Sequence, residues 1–236
     1  MPNTTTPAQY ILILIDMAES QGCARDSLLA GTTLAESGIS GIGARIDDAD
    51  FNQLVANAQK LTGNPALGLK LGLRLNLSAH AILGQAFMTC RDLAQVMDLL
   101  LKYYHLLASG IQLELETIGE QCVLTLVSTP SDVSVEFGYE LLYGAFVNTL
   151  RGLLNAPDLC LHMELPYPEP AHSSFYYETL GQEVYFNCVR GRILFHRDQL
   201  DTPVPSSNPV LRNLYEAECA RLLADLEEES SVAEQT

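Results

Sequence analysis

Hydrophobic positions in the first eighty residues repeat every three to four residues. Thr4, Thr5, Thr6 and Pro7 supply a cap and an entry, and the apolar run that follows predicts a helix over 7–21, stopping at Gly22. A second short helix is expected over 25–30, followed by the glycine-punctuated loop GTTLAESGISGIG. In DDADFNQLVANAQKL the apolar residues fall at 51, 54, 55, 58 and 61, again the helical period. TGNP then closes that helix and opens another, with Asn64 as cap and Pro65 in its first turn.

The pattern changes after His80. AILGQAFMTC reads as a buried strand, and RDLAQVMDLLLKYYHLLAS as a helix of about four turns. IQLELETIGEQCVLTLVS alternates on both sides of Gly119-Glu120, a hairpin signal. On its first strand Ile111, Leu113 and Leu115 face one way and Gln112, Glu114 and Glu116 the other, as in a sheet with one wet face. A long helix is predicted over 132–154. It is followed by a strand in LCLHMEL, a short helix in SSFYYETLG, and strands in EVYFN and ILFHRD. After the proline-rich connector DTPVPSSNP, a last helix starts near Asn208 and Pro209, striped by Leu211, Leu214, Tyr215, Leu222, Leu223 and Leu226. The expected fold class is α+β. It comprises a helical subdomain over 1–80, an α+β subdomain over 81–206 with a small antiparallel sheet covered by helices on one face, and a closing helix with an acidic tail over 207–236.

Composition narrows the functional classes. Apolar residues make up 47% and charged ones 18%, the balance of a globular chain. The net charge of −16 argues against binding nucleic acid through the overall field. The six cysteines lie at least 28 residues apart, without zinc-ligand spacing, and read as reduced thiols in a cytoplasmic protein. YILILI is broken by Asp16 and Glu19, far short of the roughly 20 apolar residues that span a membrane.

Chemistry is sparse. No phosphate-binding glycine loop, nucleophile elbow or HExxH is present, so neither an enzyme nor a bound cofactor is expected. The five histidines are not spaced as metal ligands, and no metal is expected. His105, late on an apolar helix, either complements the helix end or carries a ligand. On the helix over 132–154, Glu136, Glu140, Asn148 and Arg151 form a polar stripe that includes Gly144. That stripe is either a half-exposed edge with an internal Glu–Arg balance, or a pocket wall where Gly144 allows close approach. Six of ten tyrosines (Tyr103, Tyr104, Tyr139, Tyr143, Tyr176 and Tyr177) cluster in the second subdomain, which suits a small-molecule cleft as well as an ordinary core.

Three stretches carry a family resemblance: LTGNPALGLKLG at 61–72, ILGQAFMTCRDLAQVMDLLLKYYHLL at 82–107, and LGQEVYFNCVRGRILFHRDQLDTPVPSSNPVL at 180–211. Together they resemble the N-terminal, "arabinose-binding" domain of AraC-type bacterial transcriptional regulators, from about residue 10 to 228. The resemblance implies a cytoplasmic domain that senses a small-molecule effector or only dimerises, as a homodimer. It also implies DNA contact through a C-terminal helix-turn-helix domain beyond Thr236, with RLLADLEEESSVAEQT as the seam. It does not fix the ligand, since the arabinose regulator uses a β-barrel sensor and no long series of barrel strands is read here. Tyr104, His105, Tyr139, Glu140 and Arg151 are the candidate ligand-binding residues, offering aromatic walls and opposite charges, with Arg151 suited to a carboxylate.

Overall fold

The computed structural model describes residues 4–39, 43–128 and 134–234, with side chains to residue 228. Residues 40–42 of the glycine-punctuated loop and the first two residues of the helix expected from 132 lie outside this set. In chain order the elements begin with β1 (Thr5–Pro7), α1 (Ala8–Glu19), α2 (Arg25–Leu29), α3 (Leu34–Ser37) and β2 (Arg45–Asp47). Next come α4 (Asp48–Thr62), α5 (Leu67–Gly72), α6 (Ala81–Thr89) and α7 (Leu93–Tyr103). The remainder are β3 (Gln112–Ile118), β4 (Gln121–Ser128), α8 (Val135–Leu154), β5 (His162–Glu164), α9 (Ser173–Thr179), β6 (Val184–Tyr185), β7 (Gly191–His196) and α10 (Pro209–Glu234). The fold is α+β, as the alternation of periods predicted.

Several elements depart from the sequence expectation. AILGQAFMTC is helix α6, not a strand. Leu83, Gly84, Ala86, Phe87 and Thr89 are buried, so the segment is covered nearly all round and its apolar run carries no readable period. Gly84 permits this packing, because a Cβ there would collide with the Leu77 carbonyl. α5 starts at Leu67 rather than beside Pro65, and Asn64 Oδ1 accepts the Ala66 N–H ahead of it at 3.1 Å. The expected loop after α2 contains the four-residue helix α3. The stretch read as an acidic connector continues α10 to Glu234. Leu211 and Leu214 of its leucine stripe are exposed, while Cys219 faces the core.

The five-stranded sheet runs β3-β4-β7-β5-β6. It is antiparallel except for the β5–β6 pair, which is parallel, correcting the all-antiparallel expectation. In β3, Leu113 and Leu115 are half-buried and Glu114 and Glu116 exposed, matching the predicted alternation. One sheet face, with Leu124, Leu126, Ile193 and Phe195, joins α6, α7 and α8 in the larger hydrophobic cluster. A second cluster joins α1, α2 and α4 to one side of α5 and to Phe137 on α8. Ile11, Leu14 and Ile15 are fully buried there, each contributing about 1.5–3 kcal/mol by leaving water.

α5 and α8 hold the clusters together through a close helix crossing. A Cβ on Gly72 would lie 2.5 Å from the Leu141 carbonyl oxygen, and one on Gly144 would lie 3.0 Å from that of Leu69. Arg45 adds a tie from β1 to the end of α7, donating to Thr5 O at 2.7 Å and to Leu106 O at 2.6 Å.

Candidate functional site

A cavity of about 150 Å³ lies where the two clusters meet. Tyr10 of α1 and Phe51 of α4 wall one side, Val96, Met97, Leu100 and Tyr104 another, and Leu113, Leu124, Leu126 and Ile193 of the sheet a third. The last wall is α8, whose lining residues recur in pairs four apart: Phe137/Gly138, Leu141/Leu142, Ala145/Phe146 and Thr149/Leu150. That spacing presents one continuous helix face to the space. The lining is overwhelmingly apolar, as expected of small-molecule sites, with a few placed polar groups.

Three of those groups form a chain. The Tyr10 hydroxyl and His80 Nδ1 are 2.6 Å apart, and His80 Nε2 lies 2.7 Å from Thr149 Oγ1. His80 closes the short turn Leu77–His80, whose start is capped by the Asn76 side chain accepting from Ser78 and Ala79 N–H. Burial drives the imidazole pKa down to about 4, so the ring is neutral near pH 7. Burial likewise raises the Tyr10 phenol, opposed by the nearby Arg45 charge. Near Tyr10 in the lining, the Thr6 hydroxyl donates to Asp48 Oδ1 at 2.7 Å. Asp48 is half-buried.

A second polar cluster centres on Glu140, which is 2% exposed. Its Oε1 accepts from the Tyr176 hydroxyl and from His172 Nε2, each at 2.6 Å, and its Oε2 accepts the Leu69 N–H at 3.2 Å. With its proton committed to Glu140, Tyr176 receives the Tyr167 hydroxyl at 3.0 Å. Burial raises the Tyr176 phenol, and the neighbouring Tyr167 and Glu140 raise it further. Leu69 belongs to the first turn of α5, whose N–H groups have no partner within the helix, so a carboxylate from α8 supplies one. The cluster thus ties α5, α8 and α9 together.

The five residues singled out from the sequence do not converge on one space. Tyr104 lines the cavity. His105 stacks on the Tyr104 ring, centroids 4.1 Å apart, and is not among the lining residues. Tyr139 packs over Gly191, where a Cβ would overlap its ring, and meets Tyr143 edge-on at 5.6 Å. Glu140 sits in the α5–α9 cluster. Arg151 donates from Nε and Nη2 to Leu159 O at 3.0 and 2.9 Å, and from Nη1 to Thr179 O at 2.8 Å. Its fork therefore serves main-chain carbonyls, and among the described residues it pairs with neither Glu140 nor another carboxylate. Asn148 likewise donates to Leu75 O at 3.0 Å, and Gly144 admits the backbone of α5. The residues that sequence reasoning missed are Tyr10, His80 and Thr149. They lie about 70 positions apart, and no local spacing links them. Among the described residues no three His, Cys, Asp or Glu side chains gather as metal ligands would, and no helix is long and apolar enough to cross a membrane.

Residues 22–204 match the family described as the arabinose-binding domain of AraC transcription regulators, N-terminal. The chain belongs to that family. Similar to this arabinose-binding-family chain is the ornithine utilization regulator of Pseudomonas aeruginosa, 32% identical over 222 residues, which cover 94% of this chain and 66% of that protein. An uncharacterized HTH-type transcriptional regulator of Mycobacterium tuberculosis is 22% identical over 236 residues, 92% of this chain and 65% of its own length. The chain therefore spans just under two thirds of the length of these relatives. The crystal structure of the transcriptional regulator CdpR from Pseudomonas aeruginosa has a similar fold. Its TM-score is 0.64 at 16% identity, covering 87% of this arabinose-binding-family chain and 61% of that one.

Proposed function

We propose that the chain is the effector-sensing domain of a cytoplasmic transcriptional regulator, not an enzyme. A small, mainly apolar molecule would occupy the cavity between the two clusters and bias the arrangement of an attached DNA-binding domain. The carrying observation is that one cavity draws its walls from α1, α4, α7, α8 and the sheet, so filling it acts on both clusters at once. Such a ligand shifts the balance between two arrangements only by its difference in affinity for them. In this reading Tyr104 is an aromatic wall, the helical part over 1–80 and the α+β part over 81–206 are the two bodies that move, and α10 is the output.

The name of the Pseudomonas aeruginosa relative refers to ornithine, but we do not propose ornithine for this cavity. Its ammonium and carboxylate groups need buried partners of opposite charge. The described lining holds no Lys or Arg, and its only acid is the half-buried Asp48.

Homodimerisation is supported by a specific feature of α10, where Val210 and Leu214 are 80% and 63% exposed on the same helix. These side chains suit a second copy of the helix.

A thermal-shift screen of uncharged aromatic and aliphatic compounds tests the sensing role. A ligand at a hundredfold excess over its Kd adds about 2.7 kcal/mol and raises the Tm. Ala145→Phe, which fills the cavity, is expected to abolish that rise while leaving a folded protein. A ligand that stabilises the filled variant as strongly as the parent binds elsewhere and sinks this assignment.

A further inference from the structure

The Tyr10–His80–Thr149 chain has a definite hydrogen-bonding capacity. A neutral imidazole offers one donor and one acceptor, and both ring nitrogens are taken by hydroxyls. If Tyr10 donates to Nδ1, then Nε2–H donates to Thr149 Oγ1 and the Thr149 proton is left over. If Thr149 donates to Nε2, the Tyr10 proton is left over. In either tautomer one hydroxyl proton at one end remains unspent, and the opposite end presents only lone pairs. Neither hydroxyl has another hydrogen-bond partner among the described residues. Tyr10, His80 and Thr149 are 6%, 6% and 7% exposed and all line the cavity, so the spare proton faces an apolar space rather than bulk water. An unmade bond there is costly, and a ligand oxygen can satisfy it.

Size and charge restrict that ligand further. An apolar cavity of about 150 Å³ accommodates a molecule about the size of benzene. The described lining holds no lysine or arginine and His80 is neutral, so an anion finds no counter-charge in the lining itself, the Arg45 near Tyr10 being engaged by the Thr5 and Leu106 carbonyls; a cation finds only the half-buried Asp48, which already accepts from Thr6. Resting on the effector-sensing reading above, we infer that Tyr10, His80 and Thr149 form the polar anchor of the cavity and select an uncharged molecule, about benzene-sized, bearing one hydroxyl or carbonyl. Binding fixes the His80 tautomer: an acceptor at the Thr149 end holds the proton on Nε2, and one at the Tyr10 end holds it on Nδ1.

Titration of the chain with phenol, toluene, benzoate and benzylamine tests this by calorimetry, with the His80 ring nitrogens followed by NMR. Phenol is expected to bind about tenfold tighter than toluene, the margin of one buried hydrogen bond, with benzoate and benzylamine weaker than phenol. The triple variant Tyr10→Phe, His80→Leu, Thr149→Val, which removes every polar side-chain atom of the anchor, should bring phenol to the level of toluene, while Thr149→Ser keeps the preference. His80 nitrogen resonances should move with phenol and not with toluene, a readout on the parent protein that does not depend on the folding of any variant. Equal binding of phenol and toluene overturns the anchor and leaves the cavity reading standing. Preference for benzoate or benzylamine overturns the uncharged class. If none of the four probes binds, the cavity reading itself falls.

Discussion

His80 shows how a single side chain can be buried at a measurable cost. Its folded pKa of about 4 lies below the value near 6.5 of an exposed imidazole, so the unfolded chain binds the extra proton first as pH falls. Stability contributed by the neutral ring is therefore complete above pH 6.5 and is lost as pH drops toward 4, by about 3 kcal/mol from this group alone. Denaturation curves of the parent and His80→Gln between pH 7 and 4 should converge or cross, because the variant lacks this titration. Parallel curves would show that His80 is accessible to protons in the folded state. None of this was legible in the sequence. A lone histidine in LSAHAILG carries no mark of burial, and its partners lie about 70 positions away on either side in the sequence. Arg151 illustrates the reverse: its charge drew attention, yet its geometry is that of a clamp on two carbonyls.

At the scale of elements, the helical period located most helices and the two-residue alternation located the hairpin, because an amphipathic face is written locally. The exceptions are segments whose environment is the same on all sides. α6 looked like a strand because it is wrapped by α10, α7 and the turn before it, so it has no polar face to set a period. The α5–α8 crossing was equally hidden, since nothing local in LGLKLG marks Gly68 and Gly72 as the points where the backbone of α8 comes close. Gly72→Ala places a methyl within 2.5 Å of the Leu141 carbonyl, on a rigid backbone that cannot step aside. Overpacking of this kind is expected to cost about 1–3 kcal/mol, read as a drop in the urea midpoint at unchanged slope. A neutral Gly72→Ala would mean that the two helices are free to separate.

At the scale of the molecule, composition already spoke for a globular chain and the change of hydrophobic period for an α+β one, while the meeting of two clusters around one cavity depended on tertiary contacts that no local pattern encodes. The sheet itself carries one more consequence. β3 stands at an edge of the five-stranded sheet, and an edge strand leaves alternate main-chain N–H and C=O groups ready to pair with another molecule. Its turn end carries Ile118, 62% exposed, and at the far end of the hairpin Val127 of β4 is 46% exposed; both favour sticking. Glu114 and Glu116, the wet half of its alternation, put like charges on any two such strands brought together. They therefore work on colloidal behaviour rather than on folding. Converting both to glutamine should leave the melting temperature nearly unchanged but raise light scattering in concentrated solution, most strongly at high salt, where the remaining negative charge is screened. Unaltered scattering would assign the protection to the rest of the acidic surface. The two acids that looked like mere solvated face keep the sheet from growing past its own chain.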